Sequence, residues 1–152
     1  MSLWAWAVAL FALLMAGCGG GGDSPSQGGN GGGGGGNTQN PVITGRVVDD
    51  YSGGAAVPGA TVTLRRNNGT VLGSAVTDAS GNFSFQVPPT SETTLATVTS
   101  PANIPLYLQG RANSQIINIS TGAQVAPLNA GQTVTINFQV LSQAGGPPPP
   151  PF

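Results

Sequence analysis

The sequence predicts an all-β protein, a seven-stranded Greek-key β-sandwich, on three observations. Beyond the first sixteen residues no stretch carries the 3.6-residue apolar period of a helix. Seven short runs of alternating apolar and polar residues succeed one another at fairly even spacing between Val42 and Val140. The runs are separated by turn formers, among them Pro58-Gly59, Asn68-Gly69 and Ser80-Gly81.

The first strand is expected over Val42 to Asp49, with Ile43, Gly45 and Val47 on one face, and Asp49-Asp50 at its solvated end. A loop then runs from Asp50 to Gly59, where Pro58-Gly59 suits the two central positions of a type II turn. In the second strand, Ala60 to Arg66, Ala60, Val62 and Leu64 face inward and Arg65-Arg66 form a solvated end. Asn67-Asn68-Gly69-Thr70 predicts a hairpin with a type I′ turn. The third strand is Val71 to Thr77. Asp78 then suits the first position of a type I turn, because its carboxylate accepts from backbone N–H groups two residues on, and Gly81 takes the positive φ that follows. The fourth strand, Asn82 to Val87, lines up Phe83, Phe85 and Val87, and Pro88-Pro89 stop it. A fifth strand is expected over Thr93 to Thr99. From Ala102 to Gln124 the pattern is least regular, with an apolar piece Ile104 to Leu108 and a strand Gln115 to Ile119. After a turn at Asn129 to Gln132, the last strand, Thr133 to Val140, places Val134, Ile136, Phe138 and Val140 on one face.

The 152 residues suit one domain with tails, divided as 1–17, 18–40, 41–141 and 142–152. Leu3 to Ala16 is fourteen uncharged residues, about 21 Å as a helix, which is short of the ~30 Å hydrocarbon core and fits a signal-peptide segment. Met15-Ala16-Gly17-Cys18 resembles the lipobox of bacterial lipoproteins. The resemblance implies cleavage between Gly17 and Cys18, a diacylglyceryl group on the Cys18 thiol, and a membrane partner through that lipid. Gly19 in place of Asp resembles the pattern sent to the outer membrane, so the expected location is the cell envelope, at the outer membrane or cell surface. A plain secretory signal with an incidental cysteine is the alternative. Twelve of the 25 glycines lie between Gly19 and Gly36, so 18–40 is expected to be a tether with a reach of about 25 Å. Five of the 13 prolines form the run Pro147 to Pro151, which suits a stiff polyproline II spacer.

Charge is scarce, with four arginines, no lysine, four aspartates and one glutamate. Arg46, Arg65, Arg66 and Arg111 cannot make a phosphate-binding face, which argues against a nucleic-acid partner. The single Cys18 leaves no internal disulfide. The chain has no histidine, so imidazole-based triads and zinc sites are excluded and no catalytic residue, cofactor or metal is expected. Asp49, Asp50, Asp78 and Asn82 are the only candidate oxygen cluster, and their spacing matches no calcium loop; turn-capping accounts for Asp78.

The segments Ile43 to Asp49, Val57 to Leu64 and Thr77 to Phe85, with the ending Leu128 to Val140, resemble the carboxypeptidase regulatory-like domain, a transthyretin-like sandwich. The resemblance implies a non-catalytic accessory module of a secreted or surface protein; together with the lipobox-like segment, the expectation is a lipid-anchored envelope protein used for binding or structure. The alternative is a starch-binding-like carbohydrate module in which Tyr51 and Tyr107 grip sugar rings; the plainer role for both is to cover the ends of the core. A third reading is an accessory subunit of a secreted hydrolase. A surface protein or a polysaccharide remains open as partner, as does the oligomeric state.

Overall fold

The computed structural model describes residues 39–147. These form a two-sheet, all-β sandwich, as the alternation predicts, but with eleven strands rather than seven. In chain order they are β1 (Val42–Asp49), β2 (Ala55–Ala56), β3 (Thr61–Arg66), β4 (Val71–Val76), β5 (Asn82–Gln86), β6 (Thr94–Thr99), β7 (Leu106–Ala112), β8 (Gln115–Asn118), β9 (Ala123–Val125), β10 (Thr133–Thr135) and β11 (Phe138–Ser142). The extra strands are short except β7, which has seven residues. β2 lies in the expected first loop, β7 and β9 come from the least regular stretch, and the last expected strand is divided into β10 and β11.

One sheet has seven strands. Its path is β10-β1-β11-β7-β8, with β5 and β2 also paired to β1. The other runs β4-β3-β6-β9. β1 organises the first sheet: along one edge it pairs antiparallel with β5 and β2, and along the other parallel with β10 and β11. Parallel pairing of the first strand with the last closes the domain through residues about ninety positions apart.

The last strand is interrupted opposite Gly45, with the register unchanged on either side. Thr44 pairs with Thr135 and Val47 with Phe138, and between them the Ile136 carbonyl comes so close to Gly45 that an added Cβ would lie 1.9 Å from its oxygen. The Ile136 N–H donates to the Thr44 carbonyl at 2.8 Å, so the chains stay in contact beside Gly45 and pairing resumes at Phe138.

Inward residues of the two sheets interdigitate as the period of two requires. Ile43, Val47, Phe83, Phe138 and Val140 of the first sheet pack with Val62, Leu64, Ala96, Val98 and Val125 of the second, all buried. Phe83 and Phe138 meet with ring centroids 6.3 Å apart and planes tilted by 40°.

Two turns differ from expectation. At Asn67–Thr70 the hairpin is present, but Asn68 does not take positive φ. The Gly69 N–H closes a type I turn onto the Arg66 carbonyl at 2.9 Å and only Gly69 is left-handed, at φ 88°. A three-residue loop with a left-handed glycine replaces the type I′ turn. The two-residue turn with positive φ at both centres falls elsewhere, at Asn113 (φ 46°) and Ser114 (φ 71°) between β7 and β8. There Asn113 also bonds the link between β10 and β11: its backbone N–H donates to the Asn137 carbonyl and its side-chain Oδ1 accepts from the Asn137 N–H, both at 2.9 Å.

Candidate functional site

The Asp78 turn is built by one carboxylate. Oδ1 accepts from the N–H groups of Ser80 and Asn82, both at 2.8 Å. Foremost among the causes, the Asn82 N–H holds the Asp78 carboxyl below its ordinary range, and the Ser80 N–H, the Asn82 amide and the charge of Arg46 add to it, against a desolvation that raises it. Arg46 Nε also donates to the Ser80 carbonyl at 2.8 Å, fastening the turn to β1. Gly81 sits at φ 78° with its carbonyl accepting from the Val47 N–H at 2.8 Å. An added Cβ there would lie 2.4 Å from the Val47 carbonyl oxygen.

Asp49 corrects the sequence-based expectation of a solvated strand end. It is buried, at 6% exposure, because the alternation that turns Val47 inward carries on to Asp49. Four donors from three places converge on its carboxylate: the Tyr51 N–H (3.1 Å), the Ser52 hydroxyl (2.9 Å), and the N–H (3.2 Å) and hydroxyl of Ser142 at the end of β11. Burial alone raises its pKa and is the largest single influence, but the Ser142 hydroxyl and N–H with the Ser52 and Tyr51 bonds together outweigh it, leaving the carboxyl below its ordinary value. This latch joins the first strand to the last.

Arg65 and Arg66 are half-buried rather than fully solvated. Arg65 donates to the Ser120 carbonyl at 2.9 Å, and Arg66 Nε lies 3.8 Å from a Glu92 carboxylate oxygen. Thr77, which carries no signal in the sequence, is buried and ties two segments together: its hydroxyl donates to the Val57 carbonyl at 2.7 Å and accepts from the Ala60 N–H at 2.9 Å.

Tyr51 and Tyr107, although distant in sequence, serve one short segment. The Tyr107 hydroxyl donates to the Gly146 carbonyl at 2.9 Å and the Tyr51 hydroxyl to the Pro147 carbonyl at 2.8 Å. Both tyrosines therefore hold the chain where it leaves β11, and Tyr51, 37% exposed, also borders a depression on the outer sheet face. Asp49, Asp50, Asp78 and Asn82 do not come together as a metal site: among the described residues no group of three or more His, Cys, Asp or Glu side chains converges. Gly17, Cys18 and the glycine-rich stretch up to residue 38 lie outside the described residues, as do 148–152.

A two-sheet sandwich with its carboxylates tied into turns and a strand latch is the class that this geometry defines. The family model of the carboxypeptidase regulatory-like domain matches residues 42–141, and the chain belongs to that family. The match runs through the stretch 100–124, where the sequence motifs are silent. Among solved structures, the Bacillus anthracis TIE protein is similar with a TM-score of 0.49 at 16% identity, covering 68% of this chain and 17% of that one. BcpA, the major pilin subunit of Bacillus cereus, is similar at 0.45 and 15% identity, covering 69% of this chain and 31% of that one. The chain thus spans less than a third of either protein. No curated protein matches it.

Proposed function

We propose that this protein is a non-catalytic β-sandwich of the cell envelope, anchored by a lipid on Cys18 and used for binding or structure at the cell surface. The observation that carries the non-catalytic part is where the polar chemistry is committed. Asp49 and Asp78 hold donors from neighbouring segments, Arg46 and Arg65 cap carbonyls, Arg66 faces Glu92, and Thr77 staples two segments inside the core. Side chains engaged in this way stabilise the fold rather than act on a substrate. The anchor rests on Met15-Ala16-Gly17-Cys18 following an apolar run too short to span a bilayer.

Mass spectrometry of the mature amino terminus together with membrane fractionation tests the anchor. The expected result is a diacylglyceryl-modified Cys18 in the membrane fraction, and a Cys18→Ala variant that is unacylated and is either released or left uncut. An unmodified terminus in the wild type overturns the anchor. A second reading, saccharide binding, is favoured by the position of the Tyr51 ring beside the depression on the outer sheet face.

A further inference from the structure

We propose that the outer face of the seven-stranded sheet binds a hydroxyl-rich, carboxylate-bearing polysaccharide, with Arg111 and Gln139 at the centre of the site. This deepens the binding part of the function proposed above and does not depend on the lipid anchor. Pairing registers place Val48, Gln139, Arg111 and Ile116 side by side across β1, β11, β7 and β8. The chain neighbours of Val48, Gln139 and Arg111, namely Val47, Phe138, Val140 and Ala112, are buried, so these three face away from the core, and Ile116 is itself exposed.

Two depressions meet at Gln139. One, about 210 Å³, is lined by Tyr51, Gln109 and Arg111; the other, about 390 Å³, by Arg46, Asn113 and Asn137. Together they form a trough along the strands. From Arg46 to Asp50 the β1 rise alone gives it a length of about 13 Å.

The chemistry of the lining selects the ligand class. The backbone under the trough is already paired in the sheet, so a ligand must be read by side chains. Gln109 and Gln139 are half-buried and their amides make no hydrogen bond to protein among the described residues, leaving donors and acceptors side by side. Such pairs suit hydroxyls, which both donate and accept. Arg111 likewise has no ion pair or hydrogen bond among the described residues, and its planar fork suits a carboxylate. Tyr51 at one end offers an apolar ring to a sugar face. In a chain of net charge -1, the trough holds Arg111 and Arg46 against Asp50, which is itself an acceptor for hydroxyls; Arg46 is bonded to the Ser80 carbonyl beside the Asp78 carboxylate, so the carboxylate contact falls to Arg111. With so few cations a polyphosphate is a poor fit.

Affinity electrophoresis of the full chain in detergent, in native gels containing polygalacturonate, dextran or poly-glutamate, tests this, with mobilities referred to polymer-free gels. Polygalacturonate is expected to retard the wild type, less so as salt rises. Arg111→Gln and, separately, Gln139→Ala should each weaken retardation at least about fivefold, a loss of about 1 kcal/mol of binding, while Arg66→Gln, on the other sheet, should leave it unchanged. No retardation by polygalacturonate, equal retardation by dextran or poly-glutamate, or retardation unaffected by both trough variants overturns the proposal. Circular dichroism of each variant separates lost binding from lost fold; if Arg111→Gln unfolds, Gln139→Ala and Arg111→Lys, which keeps the charge but not the fork, give the decision. Failure here leaves the Cys18 anchor and its mass-spectrometric test untouched.

Discussion

Individual residues in this protein act by filling a geometry that few side chains satisfy. Gly81 is held both by its left-handed backbone and by the Val47 carbonyl, which leaves no room for a Cβ. Gly81→Val is therefore expected to destabilise the domain by about 1–3 kcal/mol, read as a lowered urea midpoint with an unchanged slope. An unaltered midpoint would show that the turn is not strained by a side chain. Gly81 and Asp78 are both legible in the sequence because the turn that needs them is local. Asp49 is different. Its polar type suggests a solvated end, yet the donors that make burial tolerable include Ser142, 93 residues away. No pattern near Asp49 announces that partner.

At the scale of elements, the hairpin between β7 and β8 is the clearest case of structure that propensity does not reveal. Its turn uses Asn113-Ser114, both at positive φ, where an Asn-Gly pair would be the recognisable signal. Ser114 bears the cost of a left-handed conformation that glycine adopts freely. Ser114→Gly should raise stability by up to about 1 kcal/mol, seen as a higher thermal midpoint, since Ser114 is exposed and makes no hydrogen bond among the described residues. A fall in the midpoint would count against the turn. Conversely, Asn68-Gly69 reads as a two-residue turn, and the three-residue loop seen there follows from pairing Arg66 with Thr70. The last strand shows the same limit: Val134, Ile136, Phe138 and Val140 do share one face, but the interruption at Ile136 falls where its carbonyl closes on Gly45, a contact no local pattern announces.

For the whole molecule, acid stability depends on the two carboxylates that tie it together. Asp49 and Asp78 both have folded pKa values below the ordinary 3.8. The native state then binds their protons less tightly than the unfolded state, so the stability they provide is complete above about pH 4 and is lost as pH falls through their depressed folded values. Urea titrations should show a midpoint level from pH 7 to about 5 that declines below 4. Asp49→Asn should cost about 2 kcal/mol at pH 7, because a charged acceptor of four bonds becomes a neutral one, and should make the acid decline shallower. A decline equally steep in the variant would remove Asp49 from the account.

From sequence alone come the all-β class, the inward faces of the first, second, fourth and last expected strands, the Asp78–Gly81 turn and the absence of histidine chemistry, because period two, local turns and composition act over a few residues. Tertiary structure alone decides the parallel closure of β1 by β10 and β11, the buried Asp49–Ser142 latch, the joint hold of Tyr51 and Tyr107 on Gly146 and Pro147, and the row that sets Arg111 beside Gln139. Each of these joins positions tens of residues apart, and only strand register brings such positions within hydrogen-bonding reach.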